Sequence, residues 1–368
     1  MRIAILTLPL HTNYGGILQC YALQTVLQRM GHEVKVLDRP QYGYSYYYIY
    51  PLAICKRIIK RYILGKKVNI WLAPHEIVRK NTDRFIKRYI HQYKCRHWNS
   101  GLSDRFDAIV VGSDQVWRPE YFQPVEYTFL SFLGDSHIKR ISYAASFGVD
   151  ECRYTKKQLK VCSSFLKKFD AVSVRESSGI DLCRNYFGVE AVQMLDPTLL
   201  LSADDYRTLI SKGHTELSRG NLLVYILDKT PEKVALVEKI AKDKNLIPFW
   251  LDTPGEHQDN LPLEEQIKMP VEQWLRAFVD AEFVFTDSFH GCIFSIIFRK
   301  QFLVFGNQGR GLSRFNSLLD LFSLNERLIS SSDEYPQNLS TIDFDGIHRK
   351  LDLLRKQADE FITTILKK

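Results

Sequence analysis

Short apolar runs that end in small or polar residues alternate with helical patterns along nearly the whole chain. That alternation restricts the fold more than any other feature. Residues 2–8, 33–38, 107–112, 141–147, 171–175 and 192–195 read as strands, with helical patterns at 17–30 (closed by Gly31), 156–168 and 177–186. Buried-looking strands separated by helices imply parallel βαβ units with both sheet faces covered. Asp196-Pro197-Thr198 breaks the pattern and reads as a hinge. The alternation then restarts: strand 222–227, helix 231–244, strand 248–251, helix 271–280, strands 282–286 and 301–305, and a last helix at 347–366.

A chain of 368 residues is too long for one ordinary core. We therefore expect an α/β protein of two Rossmann-like domains facing a cleft, residues 1–195 and 196–368. The last helix is expected to pack back on the first domain. A hydrophobic share of 45% beside 25% charged residues is that of a chain folding around a core. No apolar run approaches the roughly 18 residues of a membrane-spanning helix. The first apolar run stops at Pro9 and reads as a strand, not a signal peptide. The seven cysteines are scattered with no CxxC pair, so neither a disulfide framework nor a zinc site is expected, and the expected compartment is the cytosol.

Lys and Arg number 50 against 42 Asp and Glu, a net +8 that favours anionic partners without choosing among them. One insertion, 42–71, sets Tyr42, Tyr44, Tyr46, Tyr47, Tyr48 and Tyr50 ahead of Lys56, Arg57, Lys60, Arg61, Lys66 and Lys67 amid Ile and Leu. This composition suits a surface helix on an anionic membrane. It equally describes a solvated basic face beside a tyrosine-rich packing loop.

Polar groups gather where the strands end, which is where open α/β sheets bind ligands. At the end of strand 282–286 the chain reads Thr286-Asp287-Ser288-Phe289-His290-Gly291. His290 is a candidate proton carrier, and Asp287 or Ser288 a candidate helix cap. After the first strand come Asn13, Tyr14, Gly15 and Gly16, whose paired glycines let backbone N–H groups approach an anion or simply make a tight turn. Ser113, Asp114, Gln115 and Trp117 offer hydrogen-bonding groups and a ring face for a sugar, or a cap for the next element. Ser146 closes another strand as a ligand contact or a turn residue. Arg175 at a strand tip suits a phosphate or carboxylate, with pairing to Glu176 as the structural alternative. The glycine-rich loop from Gly306 carries Asn307, Arg310, Ser313 and Arg314 as a further anion-binding candidate. The chain holds no GxGxxG, Walker, HExxH or GxSxG motif, which argues against dinucleotide, P-loop and zincin chemistry. No metal site is expected.

In order, ILTLPLHTNYGGILQCYALQTVL, DAIVVGSDQVW, ISYAASFG, SVRESSG, LDPTLL, FTDSFHGCIFSIIF and GLSRFNSLLDLF resemble the polysaccharide pyruvyl transferase family. The resemblance spans about residues 2–322 and implies a fold like that of the two-domain GT-B glycosyltransferases. It implies transfer of pyruvate from phosphoenolpyruvate onto two hydroxyls of a sugar, giving a cyclic ketal in surface or capsular polysaccharide synthesis. It implies no cofactor and no nucleic acid partner. The acceptor implied is a galactose-type sugar or lipid-linked oligosaccharide, met in the cytoplasm or at the inner face of the membrane. The family's donor-binding arginine and donor-protonating histidine map onto Arg175 and His290, with Asp114 or Asp287 as base. Where some members carry Arg-Leu-His, this chain has Ser288-Phe289-His290, and Arg310 or Arg314 is the candidate to replace the missing arginine. Two other readings remain open: a nucleotide-sugar-dependent glycosyltransferase and a non-catalytic glycan-binding relative.

Overall fold

The computed structural model describes residues 1–38, 55–56, 58–63, 76–94, 98–251, 263–306, 311–336 and 338–367. Most of the 42–71 insertion lies outside the described residues, as do Asn307 and Arg310.

The strands assemble into two sheets in which every pairing is parallel. The first holds β1 (Arg2–Leu6), β2 (Glu33–Asp38), β3 (Gln92–Lys94), β4 (Ala108–Val111), β5 (Lys139–Ala145), β6 (Ala171–Val174) and β7 (Val192–Gln193), in the order β3-β2-β1-β4-β5-β6-β7. The second holds β8 (Leu222–Tyr225), β9 (Pro248–Trp250), β10 (Phe283–Thr286), β11 (Gln301–Phe305) and β12 (Leu328–Ile329), in the order β12-β11-β10-β8-β9. Two Rossmann-like halves are thus present. β1 lies between β2 and β4, and β8 between β9 and β10. At each of these strands the connections depart in opposite directions, which opens a crevice beyond the carboxyl ends.

One apolar cluster runs through both halves. It joins Leu23 and Leu27 of the helix Tyr14–Arg29 to Trp274 and Phe278 of the helix Val271–Asp280 and to Phe294 of the helix Phe289–Ile297. Tyr14 fastens the junction: its ring stacks on Trp274 at 5.3 Å and 13°, and its hydroxyl donates to the Met269 carbonyl at 3.1 Å. Such a ring pair contributes about 0.5–1.5 kcal/mol beyond the area it buries.

The terminal helix Phe344–Lys367 buries Ile347, Leu351, Ala358, Ile362 and Leu366, a stripe at helical spacing. It starts on the second half, where Asp345 pairs with Arg299 at 2.7 Å. It ends on the first, where Lys139 of β5 donates to the Ile365 carbonyl at 2.9 Å. Midway, Arg355 donates to the carbonyls of Leu199 at 2.7 Å and Leu201 at 2.6 Å. The helix therefore packs back on the first half, as the sequence pattern implied. Among the described residues, no helix is long and apolar enough to cross a membrane.

Candidate functional site

The two crevices face one another, and loops from both sheets line one cleft. From the first half come Thr12, Asn13, Tyr14 and Gly15 after β1, and Asp114, Gln115 and Tyr121 after β4. From the second come Tyr225 and Leu227 around the end of β8, Lys268, Asp287 through His290 after β10, and Arg314 with Phe315. Three helices begin at this cleft: Tyr14–Arg29, Phe289–Ile297 and Ser313–Phe322. Asn13 caps the first by accepting from Gly16 N at 3.1 Å, and Ser288 caps the second by accepting from Gly291 N at 3.3 Å. Converging helix N-termini, with Arg314 and Lys268 between them, suit an anion.

His290 stands on the second turn-forming position of its helix with its imidazole held between the halves. Its ring lies so near Gly15 that a Cβ at that position would overlap it. Glycine is therefore required at 15 by the close approach of the ring. His290 Nε2 lies 3.6 Å from Asp196 Oδ2, within ion-pair reach though long for a hydrogen bond. The same Asp196 oxygen accepts from Arg175 Nη1 at 2.8 Å, while Oδ1 accepts from Thr198 N at 3.0 Å and Thr198 Oγ1 at 2.7 Å. Burial opposes ionisation of Asp196. The contact with His290, the Arg175 charge and the Thr198 hydroxyl outweigh it and hold the carboxyl well below the usual carboxylate range.

Arg175 has a side chain 3% exposed and is surrounded by carboxylates: Asp196 at 2.8 Å, Asp114 at 3.7 Å and Glu176 at 3.9 Å. Burial works against its charge, and these three anions overcome it and raise its pKa. Its guanidinium also lies 4.7 Å from the centre of the Phe289 ring, and Arg314 lies 5.4 Å from the same centre. Burial, then repulsion from Arg175, pushes Arg314 down to about 10; Asp114, Glu176 and the Tyr121 hydroxyl act in the opposite sense. Arg314 thus remains a cation at neutral pH, on the cleft wall, in surroundings where a bound anion would be strongly felt.

Several sequence-predicted contacts are placed differently. Arg175 does not line the cleft; it braces Asp196 from behind. Trp117 is fully buried, stacked on Phe129 at 5.2 Å, with its indole N–H donated to the Thr128 carbonyl at 3.2 Å, so it offers no ring face to a sugar. Ser113 and Ser146 are fully buried, their hydroxyls donated to the Ala144 carbonyl at 2.8 Å and to Glu176 at 2.9 Å. Gly16 gives its N–H to Asn13, and the Tyr14 hydroxyl is committed to Met269. Ser313 precedes Arg314 and is not among the lining residues. Asp287 faces the cleft, yet its carboxylate accepts from Leu227 N at 2.6 Å, Asp228 N at 3.0 Å and Lys233 Nζ at 2.7 Å. That saturation fixes the loop after β8. Asn13, Gly15, Asp114, Gln115, Ser288, His290 and Arg314 are brought together at the cleft.

Thr12, Tyr121 and Lys268 also line the cleft, and Asp196 stands behind it, none of them marked by a motif of its own in the sequence. The sequence pattern marks Asp196 only as part of a hinge, although LDPTLL is among the segments that carry the family resemblance. The left-handed φ of Asp114, +67°, was a second hidden feature; a non-glycine residue held there is uncommon and clusters at functional sites. Among the described residues, no group of three or more His, Cys, Asp or Glu side chains is placed to hold a metal ion.

Two parallel sheets, facing crevices and a terminal helix returning to the first half give the chain a GT-B-like fold. A glycosyltransferase from Rickettsia africae superposes with TM-score 0.55 at 11% identity, covering 100% of this chain and 99% of that one. A UDP-GlcNAc 2-epimerase from Methanocaldococcus jannaschii is similar at TM-score 0.45 and 11% identity, over 96% and 99% of the two chains. Arabidopsis thaliana UGT89C1, in complex with UDP-L-rhamnose, gives 0.48 at 9% identity over 98% and 94%. No curated protein matches the chain by sequence. The model of the polysaccharide pyruvyl transferase family matches residues 13–309. The chain belongs to that family.

Proposed function

We propose that the protein transfers the pyruvyl group of phosphoenolpyruvate to two hydroxyls of a sugar, closing a cyclic ketal and releasing phosphate. The observation that carries this reading is His290, held between Gly15 and Asp196 in a cleft that also presents Arg314 and three helix N-termini. Phosphoenolpyruvate carries a phosphate and a carboxylate, both matched by that wall.

The positions of the groups support the following course. His290 protonates the methylene carbon of phosphoenolpyruvate, and C2 gains oxocarbenium character. A sugar hydroxyl adds to C2 and gives its proton to Asp114. The C2–O bond to phosphate breaks as Asp114 passes its proton to the departing phosphate, and the second hydroxyl adds to the new oxocarbenium centre and gives its proton to the now neutral His290. Asp196 sets the orientation of the imidazole and supplies an anion beside it, while Arg175 holds Asp196.

The acceptor we assign is a galactose-type residue of a lipid-linked oligosaccharide, met by a cytoplasmic protein at the inner face of the membrane. In support, residues 39–75 hold Arg39, Lys56, Arg57, Lys60, Arg61, Lys66 and Lys67 and no acidic residue. Ile59, Tyr62 and Ile63 in that stretch are 47%, 71% and 74% exposed. Calorimetry with phosphoenolpyruvate against a panel of nucleotide sugars tests the donor. Heat from phosphoenolpyruvate is expected; saturation by a nucleotide sugar alone would overturn the assignment in favour of glycosyl transfer.

A further inference from the structure

Five aromatic side chains line the described part of the cleft, and four of them are spent on packing: Tyr14, Tyr225, Phe289 and Phe315 are all buried. Tyr121 is 48% exposed. It is held in place from one side. Arg118 lies 4.6 Å from its ring centre, and Arg118 is itself buried, donating to Gln115 Oε1 at 3.0 Å and pairing with Glu120 at 3.5 Å. The backbone repeats the tie: Arg118 N donates to the Gln115 carbonyl at 3.2 Å, and Tyr121 N to the Arg118 carbonyl at 3.0 Å. Trp117, buried on Phe129, anchors the whole loop. Gln115, Arg118 and Tyr121 are therefore one stiff unit that presents an aromatic ring to the cleft.

We propose that Tyr121 is the platform of an acceptor subsite, stacking on the apolar face of a neutral hexopyranose whose hydroxyls meet Asp114 and Gln115. A pyranose presents C–H bonds on its faces and hydroxyls around its edge, so it needs a ring beneath and polar groups beside it. Asp114 and Gln115 supply the edge. The cation on this wall, Arg118, is already matched by Glu120, which favours a neutral sugar over an anionic one. Arg314 and His290 come to the same cleft from the second half, whereas Tyr121, Asp114 and Gln115 come from the first. The subsite is thus built by the first half. It rests on the reading under Proposed function for its substrate class, but sugar binding is measured without any donor.

The test is saturation-transfer NMR with methyl β-D-galactopyranoside and methyl β-D-glucopyranoside on the wild type, Tyr121→Ala and Tyr121→Phe. The wild type and Tyr121→Phe are expected to saturate the hydrogens on one sugar face. Tyr121→Ala is expected to bind about tenfold more weakly, the upper range for one ring contact. Loss of the Arg118 contact is expected to cost Tyr121→Ala only about 0.5–1 kcal/mol in urea unfolding, which separates lost binding from lost fold. Equal saturation of a glycoside by the wild type and Tyr121→Ala, or none of either glycoside by the wild type, would overturn the subsite. Phosphoenolpyruvate that fails to bind while Tyr121-dependent sugar binding persists would remove the donor assignment and leave the subsite standing.

Discussion

Replacing Asp196 by Asn removes one charge from the centre of the site and almost no volume. Asp196 is 2% exposed and shares one oxygen between Arg175 at 2.8 Å and His290 at 3.6 Å. Taking one partner from a buried ion pair costs about 3–5 kcal/mol, a large part of a total stability of about 5–15 kcal/mol. The low end, about 3 kcal/mol, is expected, because Asp114 and Glu176 still flank Arg175 and the carboxamide oxygen can still accept from Thr198. The pH dependence has a definite sign. The folded carboxyl titrates below its unfolded value of about 3.9, so its stabilisation is complete above that value and is lost as pH falls below it. Urea titrations followed by tryptophan fluorescence at descending pH should therefore show an acid-labile component in the wild type that Asp196→Asn lacks. At neutral pH kcat should fall about 10–100-fold while the KM for phosphoenolpyruvate changes little, since Asp196 touches the acid and not the donor. A variant as stable as the wild type, with the same acid limb and the same kcat, would refute the reasoning.

Four shorter predictions follow from other contacts. Gly15→Ala should destabilise the protein by about 1–3 kcal/mol and abolish turnover, because its Cβ meets the buried His290 ring; thermal melting beside kcat checks both halves. Arg314→Gln should weaken phosphoenolpyruvate binding about tenfold or more and flatten its dependence on salt, read by calorimetry at two ionic strengths. Lys233→Met leaves the buried Asp287 carboxylate without its cation and should cost about 3–5 kcal/mol in urea unfolding. Changing Lys56, Arg57, Lys60 and Arg61 to Gln should reduce binding to anionic vesicles, at about 1 kcal/mol for each charge near the surface; unchanged sedimentation with vesicles would remove the membrane role.

The central strands were legible because they are apolar on both faces, as in Ala108–Val111 and Phe283–Thr286, and the helix pattern between them left little choice but parallel βαβ units; the edge strands Gln92–Lys94 and Leu328–Ile329 are too short, and the first too polar, to be read from sequence. The helices Pro231–Lys244 and Val271–Asp280 fall where the periodicity put them. Boundaries moved where a cap decided them: the first helix begins at Tyr14, ahead of its apolar stripe, because Asn13 caps it. The site was partly legible, since a polar break after a strand marks a ligand-facing loop whatever the strand order. What each polar group does there was not. Asp287 and Asp196 look alike in sequence, and Lys233 beside one and His290 beside the other are set by packing across 54 and 94 positions of chain. Trp117 and Tyr121 invert the simple expectation that the larger ring meets the ligand. Trp117 is used to hold the loop, and Tyr121 is what the loop presents.

The most direct test of ketal transfer is mass spectrometry of galactose-containing lipid-linked glycans incubated with the protein and phosphoenolpyruvate, with released phosphate measured in parallel. The account predicts that the glycan gains pyruvate less one water, that phosphate appears in equal amount, and that His290→Ala does neither. A glycan that stays unchanged with phosphoenolpyruvate but gains a hexose from a nucleotide sugar would contradict it.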